Sequence, residues 1–326
     1  MADKKKDGEG AAGGAPGAGR SRSLRFGSRT VQLSRLDKVL FPDDGITKGE
    51  LVDYQLAVAE VMLPQLRDRP LAFVRYPDGV GGEAFFQQSA PRYFPDWIKR
   101  VNVEKENGRG SITHALCQDQ ATLAYLAGQA AVTLHAWLAK ADKPQRPDQV
   151  LFDLDPPSGR FEEARFAAHT LRGVLDELGL PSLVKTTGGR GLHVSVSIAR
   201  REDADSLREF AREVANVLAA REPERFTTEV RKDQRRGRLY LDISRNAYAQ
   251  LAVAPYTVRA RAGAPVATPL DWSELDDEAL TPDRFTVRTV PERIAKGGDP
   301  WRAVPPPVAS LAGARRRIRE LAGSPS

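Results

Sequence analysis

The sequence predicts a mixed α/β protein in which a mixed β-sheet is flanked by helices. Helical and strand-like patterns alternate along the chain, the strand-like runs are short, and the amphipathic runs are long enough for helices of several turns. The 326 residues are 41% hydrophobic and 28% charged. This is an ordinary globular composition, with enough chain for one large α/β unit or two average domains.

The first predicted elements lie within residues 47–139. Thr47 and Glu50 have the spacing of a capping box, and they open an apolar-periodic helix that ends near Leu66. Pro70 precedes a strand-like run, LAFVRY. Residues 119–139 begin with a helical pattern that becomes less clear toward their end. This part of the chain therefore predicts a helix, a strand and a second helix of uncertain length.

The alternation is clearer in the second half of the chain. Strands are predicted at Gln149–Leu154, Val184–Thr186, Leu192–Ile198 and Arg238–Ile243, and amphipathic helices at Phe161–Leu178 and Asp203–Ala220. Gly179 ends the first of these helices, and a glycine-rich turn joins two of the strands. This order favours a mixed sheet over a purely parallel one.

The chain is predicted to have a disordered basic arm at 1–29, a compact domain at 30–304, and a Pro-rich spacer with a basic tail at 305–326. Residues 9–20 contain no large apolar side chain, so they cannot bury enough surface to offset their ordering entropy. The arm and residues 301–326 each carry a net charge of +4, whereas residues 30–300 carry −2. The basic excess therefore lies in the ends of the chain and does not by itself predict nucleic-acid binding.

Composition also excludes several classes of protein. No stretch approaches the roughly 18 apolar residues of a spanning helix, so no membrane association is expected. The N-terminus lacks the apolar region of a secretory signal, which predicts a cytoplasmic protein. A single cysteine, Cys117, excludes a disulfide framework and a multi-cysteine zinc site.

Two carboxylates form the first candidate for chemistry. Asp153 and Asp155 lie in VLFDLDPP, where alternation along a strand places both on one face while Phe152 and Leu154 point into a core. Their Cα atoms would lie about 7 Å apart, a separation from which two carboxylates can bridge a pair of divalent cations. Two solvated aspartates at a strand end remain the alternative interpretation.

A glycine-rich run, KTTGGRGLH at 185–193, is the second candidate. Its glycines permit a close approach of the backbone to phosphate oxygens, and Arg190 adds a permanent positive charge. His193 begins the next strand on the same face as Ser195. A glycine hairpin beside an unrelated histidine is the alternative.

The third candidate is LYLDISRN at 239–246. Asp242 alternates with apolar neighbours and shares a strand face with Tyr240. A dense group of basic residues lies upstream, at Arg231, Lys232, Arg235, Arg236 and Arg238. Such a group suits a phosphate backbone or a triphosphate, although it is also typical of a solvated turn.

In this order the three segments resemble the active-site motifs of the polymerase domain of bacterial end-joining DNA ligase D, a member of the archaeo-eukaryotic primase superfamily. The likeness covers nearly all of the compact region and includes DKVLFPDDGITKGELVDY, RPLAFVRYPDGVGGEAFFQQSAPRYFPDW, APYTVRARAGAPVATPLDW and FTVRTVPERIAKGGDPW. It implies a primase-like fold of mixed sheets flanked by helices. It also implies a template-directed nucleotidyltransferase that fills gaps or extends ends at DNA double-strand breaks.

The resemblance assigns roles to individual residues. The metal-binding carboxylates would be Asp153, Asp155 and Asp242, with His193 as a further catalytic residue. The nucleotide would be bound by Thr187, Gly189, Arg190, His193, His135, Arg245 and Arg259. Lys38 and Lys48 would recognise a 5′-phosphate on the downstream strand, and Phe85 and Phe86 would stack against DNA near the break. Lys48 follows the proposed N-cap, so the phosphate would also meet unpaired amides at a helix N-terminus.

The resemblance further implies two divalent ions, Mn²⁺ or Mg²⁺, and a preference for ribonucleotides. Its expected partners are DNA with 5′-phosphorylated ends or gaps, NTP or dNTP, and a Ku protein, in a bacterial, nucleoid-associated setting. The chain has no KxDG motif for adenylation, so a ligase on a separate chain is also expected.

Three other functions remain open at the level of the sequence. Pro156 after the second aspartate disfavours a haloacid-dehalogenase-type phosphohydrolase, whose motif continues with other residues. A non-catalytic module that bridges DNA ends would need only the phosphate site and the aromatic residues. A primase that starts chains without a primer would share the same fold.

Overall fold

A computed structural model of the protein describes residues 19–302 and 310–323. Within these residues the strands, in chain order, are β1 (Arg22–Phe26), β2 (Arg29–Leu33), β3 (Val39–Phe41), β4 (Ile46–Thr47), β5 (Leu71–Arg75), β6 (Phe85–Gln87), β7 (Arg100–Glu104), β8 (Ser111–Ala115), β9 (Ala131–Trp137), β10 (Gln149–Leu154), β11 (Leu183–Thr186), β12 (Leu192–Ser197), β13 (Phe226–Thr227), β14 (Leu239–Asp242), β15 (Leu251–Val253) and β16 (Pro269–Leu270). The α-helices are α1 (Lys48–Ala57), α2 (Ala59–Leu66), α3 (Gln120–Gly128), α4 (Phe161–Glu177), α5 (Ala204–Arg221), α6 (Val290–Gly297) and α7 (Leu311–Gly323).

One six-stranded sheet, called sheet A, has the strand order β13-β14-β10-β12-β11-β16. Its neighbouring strands are antiparallel except for the parallel pair β13 and β14. Helices α4, α5 and α7 cover one face and bury an apolar core that includes Leu171, Phe210 and Ile318. The amphipathic periodicity of α4 and α5 produces this layer, because each helix places its apolar stripe on the sheet.

A second sheet, called sheet B, has the order β15-β9-β5-β8-β7, with β6 paired to β5. Helices α1, α2 and α3 share its core, which contains Phe73, Met62 and Tyr256. Two short two-stranded sheets, β1-β2 and β3-β4, lie at this end of the chain. The fold is therefore mixed α/β, as the sequence predicts, with two sheets that each have their own helical layer.

The two sheets approach each other at the centre of β10. Phe152 and Leu154 are buried in the core between sheet A and its helices, whereas Leu151 packs on Leu138 and Ala252 of the other half. Because side chains alternate along a strand, Asp153 shares the face of Leu151 and is directed toward sheet B. The space between the sheets thus receives the carboxylate that the sequence singles out.

Most predicted elements are confirmed with small shifts of their ends. Strand β10 has the predicted bounds, and Asp203 caps α5 through the amide of Ser206 at 2.9 Å. Thr47 and Glu50 form the predicted capping box of α1, but the helical run is interrupted at Val58. Residues 119–139 divide into α3 and β9, which explains why the helical pattern fades.

The boundaries predicted for the compact domain are wrong at both ends. Residues 22–29, predicted as disordered arm, belong to the hairpin β1-β2, whose alternate residues Val31 and Leu33 are buried. The predicted tail includes α7, which adds Leu311, Ala314 and Ile318 to the core of sheet A. Residues 1–18, 303–309 and 324–326 lie outside the described residues. No helix among those described has the length and apolar character needed to cross a bilayer.

Candidate active site

Asp153 lies at the centre of the site because three strands meet at its position. In the ladder of β10 with β14 it is directly opposite Asp242, and in the ladder with β12 it is directly opposite His193. Residues opposite each other in antiparallel strands point to the same face, with Cβ atoms about 5 Å apart. Sheet order therefore brings together residues that are separated by up to 89 positions in the chain.

Each of the three predicted metal-binding carboxylates has a polar neighbour within the protein. Asp153 Oδ1 lies 3.6 Å from His193 Nε2, and Asp155 Oδ2 lies 2.7 Å from Arg190 Nη2. Asp242 Oδ1 accepts a hydrogen bond from the amide of Ser244 at 2.7 Å. These contacts orient the carboxylates and leave further oxygen lone pairs for other ligands.

The charges around Asp153 favour its ionised form. Burial alone would raise the pKa of Asp153, but its contact with His193 and the positive charges of Arg245 and Lys185 outweigh it, and the pKa is lowered from its usual value. Burial and Lys185 lower the pKa of His193, while Asp153 acts in the opposite direction. We therefore describe the pair as a carboxylate beside a neutral imidazole at neutral pH.

A buried lysine and a half-buried histidine lie beside the pair. Lys185, opposite His193 in the ladder of β11 with β12, is 2% exposed, and burial with the charge of Arg259 lowers its pKa to about 7. Burial, with Arg259 and Arg245, lowers the pKa of His135 to about 4. His135 comes from β9 of sheet B, so it faces the carboxylates across the space between the sheets.

The glycine-rich run forms a tight loop over the end of β10. A Cβ atom on Gly191 would lie 2.1 Å from the carbonyl oxygen of Leu154, so only glycine permits this approach. The Thr187 hydroxyl oxygen accepts hydrogen bonds from the backbone amides of Gly189 and Gly191 at 3.2 and 3.4 Å. Thr187 thereby shapes the loop from within, and its carbonyl receives Arg259 Nη1 at 2.7 Å.

Arg245 lies on the short 3₁₀ turn Ser244–Asn246 that follows β14. The turn is fixed by the buried side chain of Asn246. Its Oδ1 accepts a hydrogen bond from the backbone amide of Leu151 on β10 at 2.8 Å, and its Nδ2 donates to the Leu151 carbonyl at 2.7 Å. Asn246 therefore continues the pairing of β14 with β10 by means of a side chain. Asn246 lies within the motif LYLDISRN but has no predicted role, and its place directly after Arg245 is the signal that the sequence offers.

A cleft of about 560 Å³ opens between the sheets at this point. Ten of the predicted residues line it: Phe86, His135, Asp153, Asp155, Thr187, Gly189, Arg190, His193, Arg245 and Arg259. Asp242 reaches the site as the ladder neighbour of Asp153 but is not part of the cleft wall. Arg261, Gln88 and Gln250 also line the cleft and were missed, although Arg261 alternates with Arg259 in the sequence.

The donor set suits a hard divalent cation, but the carboxylates are not arranged as a metal site in this structure. No group of three His, Cys, Asp or Glu side chains in the described parts of the chain has metal-binding geometry. Carboxylate oxygens are nevertheless the ligands that Mg²⁺ and Mn²⁺ prefer. A cation bound through Oδ2 of Asp155 would displace the side chain of Arg190, which is 58% exposed.

Phe85 and Phe86 point to opposite faces of β6. Their side chains are 45% and 57% exposed, so neither is part of a hydrophobic core. Phe86 lines the cleft and meets His135 edge-on with ring centroids 6.1 Å apart. Phe85 is opposite Arg75 in the ladder with β5 and shares its face.

A second, smaller pocket of about 120 Å³, called the basic pocket, contains Lys38 and Lys48. Arg35 and Arg75 also line it, which the sequence analysis did not predict. Burial lowers the pKa of Lys48, and the positive charges of Arg35 and Lys38 lower it further. Four cations converging on a volume of this size make a site for a compact anion such as a phosphate group.

The expected contribution of helix amides to this pocket is wrong. The amide of Lys48 donates to the carbonyl of Lys38 at 2.8 Å, and that of Gly49 donates to the carbonyl of Leu36 at 2.8 Å. The amide of Glu50 donates to the Thr47 hydroxyl at 3.2 Å. The first turn of α1 therefore has its donors satisfied, and recognition of an anion falls to the basic side chains.

Lys38 is partly neutralised by an acidic neighbour. Its Nζ lies 2.7 Å from Oδ1 of Asp78, and hydrogen bonding to Lys38 lowers the pKa of that carboxyl group. The backbone around Asp78 is held in place, since Val80 donates to the carbonyl of Leu40 at 2.7 Å. An anion entering the basic pocket would compete with Asp78 for the ammonium group.

Comparisons with known proteins agree on one family. A family model described as the LigD primase-polymerase domain matches residues 47–301. The multifunctional non-homologous end joining protein LigD of Pseudomonas aeruginosa is 34% identical over 307 residues, which is 92% of this chain and 35% of that protein. The bifunctional LigD of Bacillus subtilis is 34% identical over 273 residues, 83% of this chain and 43% of the relative. The chain thus spans less than half the length of these two relatives.

A solved structure supports the same relationship. The polymerase domain of Mycobacterium tuberculosis Ligase D, in complex with DNA, superposes with a TM-score of 0.77 at 33% sequence identity. The match covers 82% of this chain and 96% of the solved chain. Both the sequence and the fold of the described region therefore resemble that domain over most of its length.

Proposed function

The chain belongs to the LigD primase-polymerase family, and on that premise we propose that it is a template-directed nucleotidyltransferase acting in non-homologous end joining. The single observation that carries the proposal is the meeting of Asp153, Asp242 and His193 on three neighbouring strands, beside a cleft lined by arginines. The cleft volume of about 560 Å³ suits a nucleoside triphosphate.

In this proposal the cleft residues bind and orient the triphosphate. Arg245, Arg259 and Arg190 offset the negative charge that the phosphates carry. Their effect is largest where charge develops at the leaving pyrophosphate, which lowers the barrier in addition to tightening binding. His193, neutral in the free protein, offers a hydrogen bond to the phosphates, and proton donation to pyrophosphate remains the alternative role.

Asp153, Asp155 and Asp242 would hold two divalent ions, Mg²⁺ or Mn²⁺. Bound ions of this kind lower the pKa of an attacking hydroxyl and screen the charge of the phosphates. Asp153 and Asp242 contribute by facing the same point from adjacent strands, and Asn246 keeps those strands in register. The choice of metal and the preference for ribonucleotides stay predictions.

The basic pocket would bind the 5′-phosphate of the downstream strand. Arg35, Lys38, Lys48 and Arg75 supply charge-assisted contacts to a dianionic group. Arg75 links this pocket to the face of Phe85, so a nucleotide held by its phosphate would have an aromatic ring within reach. DNA with phosphorylated ends or gaps is therefore the proposed substrate. Ku, a separate ligase and a nucleoid-associated location stay predictions.

Extension of a primer across a short gap tests the proposal. We expect the protein to add a nucleotide opposite the template base in a gapped duplex with a 5′-phosphate, with NTP and dNTP compared under Mn²⁺ and Mg²⁺. A matched duplex with a 5′-hydroxyl measures the contribution of the basic pocket. Binding of the gapped duplex without extension under any of these conditions would instead favour a non-catalytic bridging module, and extension without a primer would favour a primase.

A further inference from the structure

Asp155 and Arg190 are brought together by the backbone. The ladder of β10 and β12 ends with the pair Leu154 and Leu192. Asp155, which follows Leu154, therefore lies beside Gly191, which precedes Leu192, and Arg190 is the next residue along. The approach of Gly191 to the Leu154 carbonyl keeps the glycine loop on the end of β10. The resulting contact, 2.7 Å between Arg190 Nη2 and Asp155 Oδ2, lies on the wall of the cleft.

Both members of this pair have a second role in the proposed function. Asp155 is one of the carboxylates that would hold a divalent ion, and Arg190 is one of the cations that would meet the triphosphate. In the free protein Arg190 Nη2 occupies Oδ2 of Asp155, so a metal ion bound through that oxygen must displace the guanidinium, and a phosphate bound through that nitrogen must displace the carboxylate. The pair is half-exposed, so its separation needs no rearrangement of a core.

We propose that Arg190 acts as an internal cation that occupies Asp155 until a triphosphate withdraws it, so that nucleotide and metal ion enter the site together. This inference rests on the proposed function and concerns how its site is loaded. Without nucleotide, the guanidinium competes with the metal ion for Asp155. Without metal, the carboxylate competes with the triphosphate for Arg190. By thermodynamic linkage the two effects must be reciprocal.

The expected effects are modest, because an exposed ion pair is weak. We expect Arg190→Gln to tighten Mn²⁺ binding to the nucleotide-free protein by about two- to fivefold. Loss of a nearby positive charge would tighten cation binding in any case, so the specific contact must be separated from the general field. In an Asp155→Asn background the contact is absent, and Arg190→Gln is expected to give a clearly smaller gain there.

Mn²⁺ binding is measured without nucleotide or DNA, from the electron paramagnetic resonance signal of the free ion. The proteins compared are the wild type, Arg190→Gln, Asp155→Asn and the double variant. Arg221→Gln is the matched control, because it breaks an exposed arginine–carboxylate pair with Glu177 on the helical side of sheet A. An equal gain from Arg190→Gln in both backgrounds, or no gain at all, would overturn the proposal.

The reciprocal half is measured with mant-ATP in EDTA, from the fluorescence of the bound nucleotide. Asp155→Asn is expected to tighten metal-free binding by a similar factor, since it releases Arg190. Loss of a negative charge would tighten anion binding in any case, so the gain from Asp155→Asn is expected to be clearly smaller in the Arg190→Gln background, and an equal gain there would also contradict the proposal.

An Asp153→Asn variant separates this inference from the proposed function. If it weakens Mn²⁺ binding while Arg190→Gln behaves as the wild type, the metal assignment stands and the inference fails. If it leaves Mn²⁺ binding unchanged, the metal assignment itself fails.

Discussion

The ammonium of Lys38 lies 2.7 Å from the carboxylate of Asp78, at a pocket whose other charged residues are all cations. The contact gives the basic pocket an acidic competitor for any phosphate that enters. A phosphomonoester carries more charge than the internal phosphodiesters of DNA, so it is better able to displace the carboxylate. The pair is therefore placed to affect both affinity and the choice between kinds of DNA end.

Asp78→Asn is expected to tighten binding of a gapped duplex by about two- to fivefold, because it releases the Lys38 ammonium. The gain is expected to be larger for a 5′-phosphorylated duplex than for a 5′-hydroxyl one, because the phosphomonoester is the group that must displace the carboxylate, so discrimination rises. Fluorescence anisotropy with both duplexes at fixed salt measures this. Glu83→Gln, on an exposed part of the same loop, is the control for loss of one negative charge. Unchanged discrimination in Asp78→Asn would contradict the role of the pair.

Lys48→Met is expected to reduce the preference for a 5′-phosphorylated gap by about ten- to a hundredfold, the range of a charge-assisted hydrogen bond. Methionine keeps the aliphatic stem of a side chain that is 7% exposed, so the fold is expected to persist. Competition binding with the two duplexes measures the preference, and thermal unfolding verifies the fold. Lys105→Gln, at an exposed turn, is expected to leave the preference as it is in the wild type. A folded Lys48→Met with the same preference would remove this lysine from the pocket.

The opposite directions of Phe85 and Phe86 predict separable effects. Phe86→Ala is expected to raise the KM for the incoming nucleotide by about tenfold, because the ring lines the cleft beside His135. Phe85→Ala is expected to weaken binding of the gapped duplex by a similar factor while changing the nucleotide KM much less. Steady-state extension and anisotropy distinguish the two. Equal changes in both quantities for both variants would contradict the separation.

The half-buried His135 predicts a loss of stability in acid. Its folded pKa is about 4 and its unfolded value is 6.5, so the unfolded chain binds more protons between these limits. The stabilisation is complete above pH 6.5 and is lost as the pH falls toward 4, by up to about 2 kcal/mol at pH 5. His135→Gln is expected to show a smaller decrease in Tm between pH 7.5 and 5. His169→Gln controls for the loss of one histidine, and equal decreases in His135→Gln and the wild type would refute the assignment.

Local pattern was sufficient for much of the fold. The alternation in VLFDLD predicts β10 and the direction of Asp153, and the spacing of Thr47 and Glu50 predicts the first turn of α1. The hairpin β1-β2 was missed because it follows a glycine- and alanine-rich arm, which hides the alternation of its own short strands. The sequence predicts a basic tail where helix α7 lies, and only tertiary contact shows that the apolar side of this helix joins the core.

The site depends more on sheet order than on local sequence. Nothing near Asp153 indicates that Asp242 and His193 will be its neighbours on either side; without the family resemblance they are three unrelated segments. Arg35 and Arg75 reach the basic pocket from separate elements, so spacing could not reveal them. The sequence does not reveal that the first amides of α1 are unavailable to a phosphate. Their acceptors, the carbonyls of Leu36 and Lys38, are placed there by the path of the preceding loop, which only the fold determines.

The most direct test of the central claim is single-nucleotide extension on a gapped, 5′-phosphorylated duplex by the wild type, Asp153→Asn and Asp242→Asn. Both residues face one point from adjacent strands, so each substitution is expected to reduce extension by at least about a hundredfold. Binding of the same duplex, measured in parallel, is expected to stay within about threefold of the wild type. Extension by Asp242→Asn at the wild-type rate would contradict the account, because this carboxylate would then have no part in the chemistry.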